Sequence, residues 1–432
     1  MRVFNKRIAF FPIKLLMGFL VFSELLFVFG PIAYNIPSRL LISIYLAIIN
    51  LFMFFGYKYG IMRYRYTRPI NKTIPSLSLL KYLIILGVII SLYTIYVNWH
   101  LTSLSLSAFF NRILVGLTDS ASVYYERLEQ ASLSSQVLLL LLVAPIPFLA
   151  KIFGIIHWRQ LKPLYQFLVV AILVLDAIYW IGIGTRKGLA DILVLLMCVL
   201  ILLRPDWLII KRYRRVIITV MFSVISLFLI YFIISNMSRY GLDVNEVLDM
   251  TDGHPIKAFY LNNISPYVYL PLRELTSYLC QGYYALSLAL YDFFSEGVFC
   301  FSGGLGNNWF FINITDYVFP ELDVLSRTYQ QYLSDRYGIS PTINWHSLYL
   351  WWANDVTFFG VPFVVFIIGR IFAHVWLDAY YYANKYAAPL VVLFALMVFY
   401  AFAGNQVLSF SFVTFFIVSL LYITNKMIKL YV

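Results

Sequence analysis

Ten runs of apolar residues, each close to the length of a bilayer-crossing helix, leave this chain few folds to choose from. They cover residues 11–30, 40–57, 82–98, 137–156, 164–182, 188–203, 216–235, 358–376, 389–403 and 407–424. A helix needs roughly 20 such residues to cross the hydrocarbon core. Backbone polar groups there must be bonded within the segment, which makes helix the structure for isolated runs of this kind. The sixth, ninth and tenth runs are short or flanked by polar residues. Charged residues make up 12% of the chain and hydrophobic ones 62%, with a mean hydropathy of +0.82; soluble domains carry roughly 25% charged residues. The expected fold is an all-α polytopic membrane protein of about ten transmembrane helices.

One stretch breaks this pattern. Residues 236–357 are tyrosine-rich and acidic, and divide the chain into N-terminal spans (1–235), a large loop (236–357) and C-terminal spans (358–432). Long loops without regular structure are uncommon and usually functional or disordered, and dense aromatics make disorder the poorer account. Leu272, Leu275, Leu279, Gly282 and Leu286 recur at helical spacing, with Arg273, Ser277 and Gln281 on another face. An amphipathic helix is expected there, lying along the bilayer boundary or packed on the bundle.

The net charge of +12 is distributed unevenly. Lys and Arg cluster in the N-terminus, 58–81, 151–162, 204–215, at Lys385, and in the tail with Lys426 and Lys429. In the long loop, five cations (Arg239, Lys257, Arg273, Arg327 and Arg336) face twelve carboxylates. Short basic loops mark the cytoplasmic face, so both termini are expected inside and the long loop outside. The same logic reads the positive charge as topology rather than as a nucleic-acid surface. Residues 1–14 look like the start of a signal peptide, but the apolar run continues to Gly30 with no Ala-x-Ala site, which points to a retained span. Cys280 and Cys300 fall in the loop and could pair in an oxidising compartment, although apolar burial is the simpler account.

Three outer features stand above background. Gly182-Ile183-Gly184-Thr185-Arg186-Lys187-Gly188 puts two cations on a tight turn against the positive-inside trend. They would snorkel to lipid headgroups, or clamp an anion where glycines and a helix N-terminus let the backbone approach. Arg239 follows the 216–235 run and Arg273 lies further on. Arginine's planar fork suits phosphate, while Asp243 and Glu274 offer these residues ordinary local partners. Third, the stretch from Pro341 through His346 to Asp355 and Pro362 supplies two candidate general bases, His346 and Asp355, among tryptophans and tyrosines that form an interfacial belt or a sugar-stacking surface. Lys14, Glu24, Asp176 and Arg370 fall inside spans, where an ionisable residue is a functional candidate or a helix-pairing one.

His-Glu-x-x-His, Cys-rich metal spacing, Gly-x-Ser-x-Gly and Walker sequences are missing, as is an outer Asp-x-Asp. The loop 302–308 (Ser-Gly-Gly-Leu-Gly-Asn-Asn) lacks the Lys-Ser/Thr and the strand–helix setting of a phosphate loop and reads as a turn-rich break. No metal, nucleotide or other cofactor is expected.

The layout resembles the bacterial oligosaccharide repeat-unit polymerases (O-antigen polymerases, Wzy-type). The features that carry it are Gly184-Thr185-Arg186 opening a span, Arg239 past the next, and an outsized loop returning through Asp355-Val356-Thr357-Phe358-Phe359-Gly360-Val361-Pro362. The resemblance implies an inner-membrane glycosyltransferase whose partners are polyprenyl-diphosphate-linked donor and acceptor glycans and membrane lipid, with room for a chain-length regulator protein and none for nucleic acid. It implies that Arg186, Lys187, Arg239 and Arg273 bind the diphosphate, while Asp355 or His346 serves as base. A lipid-linked glycan ligase would use nearly the same parts; a flippase or transporter would instead rely on Glu24 and Asp176.

Overall fold

A computed structural model of the chain describes residues 5–64, 76–99, 105–119, 122, 123, 126, 135–185, 187–205, 210, 215, 219, 223, 226, 250, 251, 254–381 and 384–431. Its main helices are α1 (Phe11–Phe29), α2 (Arg39–Arg63), α3 (Leu77–Asn98), α4 (Leu106–Thr118), α5 (Ser135–Val143), α6 (Pro145–Ile156), α7 (Pro163–Gly182) and α8 (Lys187–Leu203). They continue as α9 (Pro266–Ser295), α10 (Trp309–Val318), α11 (Tyr329–Tyr337), α12 (Leu348–Tyr380), α13 (Ala387–Phe399) and α14 (Phe412–Tyr431). The described strands are a two-residue pair, Met250–Thr251 with His254–Pro255.

Among the described residues, six helices are long and apolar enough to cross a membrane: α1, α2, α3, the Leu139–Ile156 stretch, α7 and α12. Two more apolar helices, Ala387–Phe399 and Phe412–Met427, are shorter, and α8 has 17 residues. The expected run 216–235 lies largely outside the described residues, so this is a helical membrane-embedded protein whose described spans number fewer than the ten read from the sequence. Helix starts follow local chemistry. Ser38, Ser76, Asn308, Thr328 and Ser347 each accept a backbone N–H three residues on, within 3.0–3.3 Å, the N-cap bond that satisfies an otherwise orphaned donor.

The bundle is built around α2 and α12, which run parallel. Tyr45 meets Phe358, Gly56 meets Phe366, Gly60 meets Arg370 and Tyr64 meets Asp378, so both numbers rise together. The approach is close because Gly56-x-x-x-Gly60 on α2 and Gly369 on α12 carry no side chains there. A Cβ on Gly56 would overlap the Phe366 carbonyl, one on Gly60 would come within 2.6 Å of the Arg370 carbonyl, and one on Gly369 within 2.5 Å of the Met53 carbonyl. With no hydrophobic force between helices in lipid, such backbone approach is how they gain contact. Pro362 cannot donate to the carbonyl four residues back, and that carbonyl, Phe358 O, is bonded instead by the Tyr45 hydroxyl at 3.0 Å.

At the far end of α12, buried Asp378 accepts from Tyr64 of α2 (2.7 Å), from Lys426 (3.1 Å) and from Tyr422 of α14. Trp376 reaches the Ile8 carbonyl at 3.2 Å. Ile8 and Lys426 therefore sit at the same end of the bundle, opposite the loop. At the loop end, 31–33 pair with 255–257, and Lys257 donates to the Val28 carbonyl at 2.9 Å. The expected amphipathic helix is α9. Its Leu279 and Leu286 are buried, Leu272 and Leu275 pack on the core, and Gln281 accepts from Trp345 N–H at 2.8 Å. It lies across α1, α2 and α12. Cys280 and Cys300 are both free thiols, so the pairing considered above does not form; Cys280 is buried against the Ser23 carbonyl.

Replacing Gly60 by Leu is expected to lower stability by roughly 1–3 kcal/mol or more through overpacking, read as a lower melting temperature in detergent. Gly18→Leu, where a Cβ meets nothing within 4 Å, should leave it nearly unchanged.

Candidate functional site

Asp355 is the best-framed ionisable group on the loop side. It sits two residues before a break in α12, where Thr357 has φ 61° and ψ 168°. That backbone region is almost reserved for glycine and costs about 1–3 kcal/mol, and such strain gathers at functional sites. The loop 302–308 folds over the break. Asp355 Oδ1 accepts from the Ser302 hydroxyl at 2.6 Å and from Gly304 N–H at 2.9 Å. Ser302 N–H donates to the Asn354 carbonyl at 3.0 Å; in an unbroken helix that carbonyl would serve Phe358, just past the kink. Buried Asn354 donates to the Gly306 carbonyl (2.8 Å) and to Gln330 (2.9 Å), and accepts from Tyr329 N–H (2.9 Å). The kink thus turns a helix end into a bracket for a glycine loop.

The turn after α13 forms a second wall. Asn405 donates to the Asn307 carbonyl at 3.0 Å, and Trp309 N–H to the Ser409 hydroxyl at 3.3 Å. The Trp309 and Trp351 rings meet edge to face at 5.5 Å. Gly404 has φ 133°, a conformation that side-chain-bearing residues rarely adopt, and a Cβ there would also come within 3.1 Å of the His346 carbonyl. Five buried polar atoms in this region find no partner among the described residues: Asp355 Oδ2, His346 Nδ1, Gln330 Nε2, Asn405 Oδ1 and Gln406 Oε1. Buried polar groups in native proteins are nearly always bonded, to protein or to ordered water. Their concentration around one loop marks a place built for water or for polar ligand groups.

His346 is packed inside, with Nε2 3.1 Å from the Ser340 carbonyl and its ring edge on Trp351. Burial pushes its pKa down to about 4, against a smaller opposing pull from the Ser340 carbonyl. It is neutral near pH 7 and out of solvent's reach, and no hydrogen bond joins it to Asp355. The two candidate bases are in one neighbourhood but do not act as a pair.

The cations expected to bind diphosphate are placed separately. Arg186 and Arg239 lie outside the described residues. Lys187, the first residue of α8, donates to Asp191 at 2.8 Å and lies against the rings of Trp180 and Tyr400, whose hydroxyl donates to the Lys187 carbonyl at 3.1 Å. Arg273 is buried and bonded through Nε to neighbouring Glu274 at 3.0 Å, so its charge is already matched. Within the spans, Asp176 pairs with Lys151 and accepts from Trp180 Nε1 at 3.1 Å. Glu24 accepts from Asn50 at 2.7 and 2.8 Å and has no cation beside it among the described residues. Arg370 lies over the Tyr59 ring and Lys14 is exposed. Among the described residues no group of three or more His, Cys, Asp or Glu is gathered closely enough to hold a metal.

The residues not singled out from sequence are Ser302, Gly304, Gln330, Asn354 and Asn405. One signal was present, since Gly404-Asn405-Gln406 is a polar triplet between two apolar runs. No family model, no curated protein and no solved structure matches the chain.

Two outcomes follow from this geometry. Thr357→Gly relieves the strained backbone and should raise stability by about 1–3 kcal/mol, seen as a higher melting temperature. For His346 the unfolded chain takes up its proton first as pH falls from 6.5 towards 4, so stability present above pH 6.5 is lost across that window, by on the order of 3 kcal/mol. His346→Gln should flatten this acid limb in melts taken between pH 7 and pH 4.

Proposed function

We propose that the protein is a metal-independent glycosyltransferase that joins polyprenyl-diphosphate-linked oligosaccharide repeat units into an O-antigen-like polysaccharide. In this reading it works in a bacterial inner membrane, with the large loop periplasmic and both termini cytoplasmic. The observation that supports it best is Asp355, a carboxylate fixed through one oxygen by Ser302 and Gly304, with its second oxygen unpartnered, on the loop side of an apolar bundle. A general base needs to be oriented and within reach of the proton it takes. Fixing Oδ1 leaves Oδ2 for an acceptor hydroxyl once the Gly303-Gly304 turn, which has open space around it, moves aside.

The step transfers the donor's reducing-end sugar. The acceptor oxygen bonds to its anomeric carbon, the bond from that carbon to diphosphate breaks, and the acceptor proton passes to Asp355. The lipid diphosphate departs with the bonding pair. It is a good leaving group, so the main requirement is stabilising the charge that accumulates on it, a task for oriented cations. Arg186 and Arg239 are assigned to that task from the sequence resemblance, with Lys187 and Arg273 nearer to existing partners. A flippase or transporter is the second reading, favoured by Glu24, which has no cation beside it among the described residues and lines a recess of about 170 Å³ between α1 and α2.

Purified protein given lipid-linked repeat units alone should lengthen them. Asp355→Asn should lower that rate by about 10²–10⁴-fold, the usual worth of a general base, and Arg186→Ala and Arg239→Ala should abolish extension with the protein still inserted. Normal polymer from all three variants would overturn this reading. Loss of the gene separates the alternatives: surface glycan of single-repeat length for a polymerase, retained long lipid-linked polymer for a ligase, and neither outside for a flippase.

A further inference from the structure

One face of α12 turns outward below the kink. Phe359, Phe363, Ile367 and Ile371 recur at every fourth residue, which on a helix makes one stripe, and their exposure runs from 63% down to 42%. On a bilayer-crossing helix such a stripe faces lipid. The apolar surface does not stop at its upper end. Phe294, near the end of α9, is also exposed and meets Phe359 edge to face at 5.5 Å. The chain then passes along the kink. Val298 N–H donates to the Asp292 carbonyl at 3.2 Å, the Tyr329 hydroxyl donates to the Val298 carbonyl at 3.3 Å, and Ser302 N–H donates to the Asn354 carbonyl. The Tyr329 ring itself lies 5.0 Å from Phe358. Between these anchors Val298 and Cys300 pack on the core. Phe299 and Phe301 do the reverse: they are 59% and 53% exposed and stack on each other at 6.3 Å.

We propose that Phe294, Phe299 and Phe301 form a membrane-contact surface, seated in the loop-side leaflet, that holds the 302–308 loop over Asp355 at the bilayer boundary. The proposal stands apart from the glycosyl-transfer reading. Exposed apolar patches of this kind mark interaction or membrane sites, and two observations choose the lipid. The first is continuity, since Phe294 joins the lipid-facing stripe of α12 directly. The second is depth. Exposed Arg39 opens α2 at the loop end, and Tyr45 lies six residues further in, about 9 Å at the helical rise. The Tyr45 ring is 5.9 Å from Phe358, and Phe358 is 5.2 Å from Phe293. The end of α9 is therefore level with the interior side of that charged boundary. Its polar groups turn elsewhere: Asp292 accepts from Tyr332 and Tyr337, and Glu296 pairs with exposed Arg336. Apolar rings on one side and a charged pair on the other suit an interfacial position. Phe301 is two residues before Gly303 and Gly304, whose φ of 70° and 90° and open surroundings make them the turn's mobile part. The loop would then pivot on a flank fixed by the membrane.

The test uses the full chain in phosphatidylcholine nanodiscs and fluorine NMR. Phe299, Phe301 and, as the lipid reference, Phe363 are replaced one at a time by para-trifluoromethylphenylalanine, a change that exposed positions accommodate. Phosphatidylcholine carrying a doxyl group near its glycerol end should broaden the signals at 299 and 301 as it broadens the signal at 363. A water-soluble gadolinium chelate should leave all three sharp. The double variant Phe299→Ser, Phe301→Ser leaves the core intact and should speed deuterium exchange of the 302–308 amides in nanodiscs.

Broadening of 299 and 301 by gadolinium alone would overturn the proposal, because the rings would then stand in water. Signals that neither agent broadens would overturn it as well, with the surface covered by protein. Nanodiscs loaded with one copy would then tell a second copy of this chain, whose cover is lost, from residues 216–235 of the same chain, whose cover persists. Unchanged exchange in the double variant would overturn the holding of the loop. None of these readouts needs turnover, so failure to extend a glycan would reject the catalytic reading alone.

Discussion

The parallel contact between α2 and α12 is what the rest of the molecule depends on. Two helices that begin at the same end and touch along their length must be separated in sequence by an odd number of crossings or by a long excursion, and here everything from α3 to α11 lies between them. The glycines at 56, 60 and 369 bring the backbones close, and that closeness lets Tyr45 reach the carbonyl that Pro362 leaves without a donor. The kink at Thr357 is therefore supported from the neighbouring helix. Without that support, a threonine in a glycine-like conformation would relax into regular helix, and the carbonyl of Asn354 would be lost to the loop 302–308.

Charge inside the bundle follows one pattern. Lys151 with Asp176, Lys187 with Asp191, Arg273 with Glu274 and Lys426 with Asp378 are each paired. Buried ion pairs add little net stability against apolar replacements, yet breaking one strands a charge. They serve here as fixed geometry, most plainly at Asp378, where one carboxylate ties α2, α12 and α14 together. Against this background Asp355 and Glu24 differ, because the partners of both are neutral.

The helical class and most span positions were legible because apolar runs of span length have few alternatives in lipid. The amphipathic stripe from Leu272 to Leu286 was legible for the same reason: helical periodicity survives whatever the helix packs on. Ends were less so. The run 358–376 is the inner part of a helix starting at Leu348, since Trp351 and Trp352 look like an interfacial belt and do not announce a buried helix start. The glycine loop was read as a break without a role, because its role comes from partners some fifty residues away at Asn354 and Asp355. Arg273 illustrates the opposite difficulty. Its chemistry suits a phosphate, but burial beside Glu274 decides what it does, and burial is a property of the fold.

The acidity of the long loop now has a physical setting. Several of the described carboxylates are engaged by neighbouring side chains. Asp292 accepts from Tyr332 and Tyr337, Glu296 pairs with Arg336, and Glu274 is taken by Arg273. The loop side of the bundle near Asp355 is instead lined by amides, hydroxyls and tryptophans.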